Sequence, residues 1–494
     1  MPPFVVALVI CIYFAFLVAI SYLTSRKADS DSFFTGNHQS PWYLVAFGMI
    51  GASLSGVTFI SVPGEVGNSS LTYLQFVLGN FVGYWFVAFG LLPLYYKLKL
   101  VSIYGYLNTR FGKYSFKTGS SFFILSKLIG AAFRLYLVAR VLQIAFFNAY
   151  GIPFWVTVFL CIGFIWLYTF KGGIRTIVWT DSLQTLFLLL AVGLTIVAVK
   201  NDLNWSIQEV SAQVFKHPYS KIFNWQWQSG RYFWKQFIAG IFITIVMTGL
   251  DQDMMQKNLT CKNIHDSRKN MLWFSLAFVV SVCFFLCLGV LLYIYAEKNG
   301  VSVPFGRDEL YPKLALNHLG LGVGIAFLIG ITAAAYSSAD SALTALTTAF
   351  CFDFLDFANK SPADQNRVRK WIHVLFSLLF FIVIILFSRI NDESVVVAIF
   401  RIAGYTYGPL LGLFAFGLFS KRQVIDKKVP WIALLSPCLS YVIAQNSETW
   451  MNGYKFGFEL LLLNGFLTFL GLLLFSKSKS GESVNRKKSK NPMQ

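Results

Sequence analysis

Thirteen apolar runs, each long enough to cross a bilayer as a helix, follow one another along this chain. They lie near residues 3–23, 42–66, 72–96, 120–149, 152–170, 177–199, 233–255, 270–296, 320–350, 370–389, 395–420, 429–446 and 456–476. A hydrocarbon core about 30 Å thick needs roughly 20 apolar residues at 1.5 Å per residue. Inside it the backbone has no water to bond, and runs of this length satisfy it only as helices. The expectation is an all-α polytopic membrane protein with about 13 transmembrane helices. Charged residues make up only 13% of the 494, about half the share of a soluble domain. The first run has no basic segment before it and is longer than the apolar centre of a signal peptide, so it reads as a retained helix.

The net charge of +19 comes from 41 Lys and Arg against 22 Asp and Glu. In a soluble domain that excess would point to nucleic acid. Here the basic residues gather in alternate loops: Arg26 and Lys27; Lys97, Lys99, Arg110, Lys113 and Lys117; Lys171 and Arg175; Lys421, Arg422, Lys427 and Lys428; then Lys477, Lys479, Arg486, Lys487, Lys488 and Lys490. The intervening loops are poor in bases or carry acids such as Glu65, Asp392, Glu393 and Glu448. The positive-inside rule then puts the N-terminus outside and the C-terminus in the cytoplasm, across the inner (plasma) membrane of the cell. An odd number of spans requires the same. Residues 1–475 read as one membrane domain and 476–494 as a basic cytoplasmic tail, polar enough to be disordered. The partners expected are the bilayer and a small molecule, with no nucleic acid. Seven scattered cysteines and five dispersed histidines form no disulfide framework, zinc site or haem motif; Cys283 and Cys287, four apart in one run, read as core packing.

The second run departs from lipid-facing composition. From Gly48 to Gly64 small and hydroxyl residues fill its middle, and Pro63 with Gly64 is expected to end it. A helix broken at membrane depth leaves carbonyls that are tolerated where they line a cavity or hold an ion. Close packing through small residues explains this stretch equally well. The ninth run tips the balance. Ala334, Ser337, Ser338 and Ser341 fall at i, i+3, i+4 and i+7 and share one helix face, with Asp340 at its edge. Hydroxyl and carbonyl oxygens suit a hard cation such as sodium. Serines alone would read as packing or back-bonding groups. A carboxylate at this depth, which costs about 2.5–3.5 kcal/mol on insertion scales, marks function.

Asp181 lies about one turn inside the sixth run, where it is either functional or a cap for the helix start. Asp251 lies near the inner end of the seventh, where Asp253 and Lys257 are spaced to pair at i and i+4. Arg134 sits well inside the fourth run, Arg140 two turns further on, and Arg401 inside the eleventh. Each is either a salt-bridge partner for Asp181, Asp251 or Asp340, or a bidentate clamp for a carboxylate solute. Position favours the clamp for Arg401 and a structural role for Arg140, and leaves Arg134 open.

Three segments together resemble the sodium/solute symporter family, over roughly residues 5–420. Tyr168-Thr-Phe-Lys-Gly-Gly-Ile-Arg-Thr-Ile-Val-Trp-Thr-Asp-Ser-Leu-Gln184 resembles its Gly-Gly…Trp-Thr-Asp…Gln signature. Gly249-Leu-Asp-Gln-Asp-Met-Met-Gln-Lys257 resembles its Gly-x-(Asp/Asn)-Gln-x-x-x-Gln-(Arg/Lys) element, and Gly408 to Phe419 its late Gly-rich helix. The resemblance implies a LeuT-type 5+5 inverted repeat, with repeats of about 42–200 and 233–420 inside a transporter domain. It implies a main sodium site at Gly51, Leu54, Ala334, Ser337 and Ser338. A second sodium site in some members would fall on Asp181, Asp340 and Ser341, where Asp340 replaces a hydroxyl. One or two sodium ions are thus expected. Solute-binding candidates are Ser53, Ser55, Thr58, Arg134, Asp251 and Arg401. The family's proline carriers have an acid at Ser53, and a sugar-carrying relative has a glutamine at Arg401. The expectation is therefore sodium-coupled import, by alternating access, of an organic anion such as a sialic acid, nearest to the bacterial sodium/sialic acid carriers. A neutral sugar, an amino acid and a proton-coupled carrier of the same fold are the alternatives. No metal cluster, nucleophile–base pair or phosphate loop supports an enzyme, and a sensor would be expected to carry a signalling domain where this chain has its basic tail.

Overall fold

A computed structural model describes residues 2–25, 39–98, 100, 102–169, 173–304, 306–355, 357, 360–390 and 394–477. Arg26, Lys27, Lys99, Lys171, Asp392, Glu393 and the tail beyond 477 lie outside the described residues. The described chain is almost wholly helical. Its principal helices are α1 (Pro3–Ser25), α2 (Trp42–Ser53), α3 (Gly56–Ser69), α4 (Tyr73–Phe86), α5 (Lys113–Ala145), α6 (Phe154–Thr169), α7 (Gly173–Asp202) and α8 (Phe233–Thr244). They continue with α9 (Gln252–Leu259), α10 (Ile264–Lys298), α11 (Gly320–Phe354), α12 (Pro362–Ile390), α13 (Val395–Thr406), α14 (Gly408–Phe419), α15 (Val429–Trp450) and α16 (Leu460–Leu474).

Helices lie on all thirteen expected intervals. Among the described residues seven helices are long and apolar enough to cross a membrane, or up to nine if each bent pair is one span. Three of the expected spans, at Trp42–Ser53, Phe154–Trp166 and Leu460–Leu474, are apolar but shorter than 18 residues. The tail expected from 476 onward begins in order: Ser476 and Lys477 pair antiparallel with Val424 and Gln423.

Two interruptions shape the interior. The first is at Leu54 and Ser55, between α2 and α3, and not at Pro63. Leu54 closes α2 by donating to the Ile50 carbonyl at 2.7 Å, then leaves helical geometry at φ −79°, ψ 63°. Ser55 is extended, and its carbonyl restarts the ladder by accepting from Phe59 N at 3.1 Å. Pro63 lies inside α3, which runs on to Ser69. The second interruption separates α8 from α9 with a bend of 65°. A π-helical turn, Ile245–Gly249, precedes it, and such turns recur at functional sites. The freed carbonyls there are satisfied internally: Gly249 accepts from the Tyr95 hydroxyl at 2.7 Å and Leu250 from Tyr104 at 2.8 Å.

Both broken helices are pressed into the bundle. α7 packs on α2 and α11, while α5 and α3 also pack on α11. The α2–α7 contact is close enough to fix one residue type: a Cβ on Gly51 would collide with Thr185 Oγ1. The same holds between α4 and α8, where a Cβ on Gly79 would strike the Phe237 carbonyl and one on Gly240 the Phe76 carbonyl. Small residues admit backbones this closely where hydrophobic driving force between helices is weak.

Candidate functional site

The break between α2 and α3 lies against the middle of α11. A Cβ at Gly56 would be 3.8 Å from that of Ala335, so the end of α2 and the Ala334–Ser338 turn are neighbours. Gly51, Leu54, Ala334, Ser337 and Ser338, the residues expected to hold the main sodium, lie on these two elements. All five are buried. Ser338 donates to the carbonyls of Ala334 (3.2 Å) and Ala335 (3.1 Å). Ser337 instead donates to Asp181 Oδ1 on α7 at 2.7 Å. The donor set is neutral oxygen, the chemistry a hard monovalent cation takes.

Asp181 is not a cap. Its helix begins at Gly173, two turns earlier, and the residue is fully buried. Its other oxygen accepts from Lys257 Nζ at 2.8 Å. Asp340 and Ser341 are buried on α11, and Asp340 accepts from the Ser341 amide.

A cavity opens beside the break. Ser53, Ser55, Thr58, Arg134, Asp251 and Ser338 all line it, together with Lys127, Asp253 and Tyr407. Tyr73, Phe76 and Phe400 form an aromatic wall, with Phe76 and Phe400 centroids 4.9 Å apart. Arg401 does not line the cavity. Val396, Ile399, Phe400 and Ala403 do, and their i, i+3, i+4, i+7 spacing defines the inward face of α13. Arg401 falls off that stripe and is exposed. Arg140 pairs at the surface with Glu309, 3.5 Å away.

Asp251 lines the cavity but its carboxylate is already engaged. It caps α9 by accepting from the amides of Asp253 (3.0 Å) and Met254 (3.3 Å), and it takes the Tyr407 hydroxyl at 3.0 Å. Lys127, fully inside α5, reaches both Asp251 oxygens at 3.1 Å and Asp253 at 2.9 Å. The Asp253–Lys257 pair expected at i and i+4 is present but loose, at 3.7 Å; Lys257 belongs chiefly to Asp181. Lys127 is the residue that sequence reasoning missed. Its signal was the one used for Arg134: a cation at membrane depth. Two turns apart on one face of α5, the two differ in state. Lys127 is locked between two carboxylates, and Arg134 forms no ion pair among the described residues.

A model of the sodium:solute symporter family matches residues 33–425. The chain is 26% identical over 491 residues to the sodium/sialic acid symporter NanT of Aliivibrio fischeri, covering 96% of this chain and 94% of that protein. It is 26% identical over 423 residues to the sodium/sialic acid symporter SiaT of Proteus mirabilis, covering 83% of each. Among solved structures, a Na+-coupled sialic acid symporter in a substrate-bound outward-open state aligns with a TM-score of 0.80 at 21% identity, over 96% of this chain and 98% of that one. A transporter of the nucleobase-cation-symport-1 family aligns at 0.57 and 12% identity, over 90% and 94%. Likenesses at these identities speak for the fold; the family match spans most of the sequence. The chain belongs to the sodium:solute symporter family, and is a multi-pass sodium-coupled carrier and not an enzyme.

Proposed function

We propose that this carrier imports a small organic anion, with a sialic acid as the first candidate, and that Arg134 recognises its carboxylate. The observation that carries this is the contrast on α5. Of the two cations that line the cavity there, Lys127 is consumed by Asp251 and Asp253, whereas Arg134 keeps its planar donor fork for a ligand. A guanidinium binds a carboxylate through two parallel hydrogen bonds. Ser53, Ser55 and Thr58 supply hydroxyls for a polyhydroxylated solute, and the wall of Tyr73, Phe76 and Phe400 covers its apolar faces. Asp251 braces the second break and leaves solute contact to these groups. The two sialic acid symporters named above lend this substrate class their likeness.

Sodium would be held by the carbonyls of Gly51, Leu54 and Ala334 and the hydroxyls of Ser337 and Ser338. An ion there ties α2 to α11 and so fixes the cavity's wall. Two inverted repeats, about 42–200 and 233–420 within a transporter domain of 1–475, fit the way each stretch opens with a broken helix. The sequence's basic loops favour an outside N-terminus and a cytoplasmic C-terminus in the plasma membrane. Import then proceeds by alternating access, with the ion entering first and completing the pocket.

The test is thermal stabilisation of the purified protein by a panel of sialic acid, monocarboxylates, neutral sugars and amino acids, in sodium and in potassium. A shift with sialic acid that needs sodium, and that falls about 10- to 100-fold in affinity in Arg134→Ala, is the expected result, since a charge-assisted hydrogen bond is worth about 1.5–3 kcal/mol. An equal response to a neutral sugar, or an Arg134→Ala protein with unchanged affinity, would overturn the carboxylate assignment.

A further inference from the structure

Asp181 stands where the family resemblance would put a second sodium, yet both its oxygens are taken. Lys257 Nζ holds Oδ2 at 2.8 Å and the Ser337 hydroxyl holds Oδ1 at 2.7 Å. An ammonium and a sodium ion carry the same charge and compete for the same carboxylate, and the ammonium here is buried: Lys257 is 1% exposed and among the largest fully buried side chains. A second carboxylate, Asp253, lies 3.7 Å away. The backbone that carries it is held as well, because Asp251 caps α9 by accepting from the Asp253 and Met254 amides. A hydroxyl has one proton and two lone pairs. With its proton on Asp181, Ser337 keeps its lone pairs as acceptors, able to ligate a cation.

We propose that the Lys257 ammonium is a tethered cation that takes the place of a second sodium at Asp181, so that this chain binds a single Na+ and uses Asp181 to orient Ser337 toward it. The inference rests on the sodium site of the proposed function and deepens it. Asp181 becomes a positioning residue for that site.

The experiment counts ions. Equilibrium binding of radioactive sodium to the purified protein should give one Na+ per chain in the wild type, with a Hill coefficient of about 1. Lys257→Met frees the carboxylates and should raise the number bound to two; Lys257→Arg should keep it at one. Two ions in the wild type, or a folded Lys257→Met protein that still binds one, would overturn the proposal. If Lys257→Met fails to fold, Asp181→Asn with Lys257→Met removes both charges together. It should bind one ion, several-fold more weakly than the wild type because Ser337 has lost its anionic acceptor, and unchanged affinity would count against the orienting role. No sodium binding at all in the wild type would instead sink the sodium site itself, so the two failures are distinguishable.

Discussion

Ser337 joins ion chemistry to structure through one oxygen. Replacing it with alanine removes a proposed sodium ligand and one of the two donors that hold Asp181. Lys257 remains, so the carboxylate is not left unpaired, and folding should lose only the roughly 1–3 kcal/mol of one buried donor. The sodium concentration for half-maximal stabilisation should rise about tenfold or more, while the melting point in potassium moves by a few degrees. A sodium affinity that stayed at the wild-type value would take Ser337 out of the site. Ser337, Asp181 and Arg134 were legible in the sequence because polar groups at membrane depth are rare and costly. Their partners were not. Lys127 meets Asp251 across 124 positions and Lys257 meets Asp181 across 76, and no spacing rule reaches that far. Arg401 stands off the cavity for a local reason: the apolar stripe Val396, Ile399, Phe400 and Ala403 is the inward face of α13, and Arg401 is not on it.

The two broken helices solve the same backbone problem differently. At the second break the loose carbonyls of Gly249 and Leu250 are held by tyrosine hydroxyls, and Asp251, Asp253 and Lys127 close the corner with charge. At the first break the chain restarts after two residues and abuts α11, beside the proposed ion site. The existence of a break was legible from the small and hydroxyl residues of 48–64, but its place was not. Proline at 63 lacks only one amide and sits within a helix that neighbours support, a use membrane helices tolerate; the true break follows the α2–α11 contact. Lys127→Met tests how much the second corner depends on charge. It leaves two buried carboxylates without their principal cation, and removing one partner of a buried ion pair costs about 3–5 kcal/mol. The melting point should fall far more than in Lys127→Met with Asp253→Asn, where one of the stranded charges is also removed. Equal losses in the two proteins would mean that Lys127 contributes packing and not charge.

Across the whole molecule these contacts form one line. Ser337 on α11 meets Asp181 on α7, which meets Lys257 on α9; Asp253 follows, then Lys127 on α5, Asp251 at the break, and Tyr407 where α13 meets α14. One end lies at the proposed ion and the other on the solute cavity, so a rearrangement at either shifts the charges that the other depends on. Thermodynamic linkage makes the consequence strict: the factor by which sodium raises solute affinity must equal the factor by which solute raises sodium affinity, and couplings of this kind run about 5–150-fold. Calorimetric titration of sialic acid at several sodium concentrations, and of sodium at several sialic acid concentrations, measures both factors. If the line carries the coupling, the Lys127→Met, Asp253→Asn double variant, cut at its centre and relieved of one buried charge, should bring both factors down together toward 1. Each ligand alone should still bind within a few-fold of its wild-type affinity. A double variant that kept the full coupling factor would reduce the line to scaffold and leave coupling to the direct meeting of ion, broken helix and solute at Ser53 and Ser338.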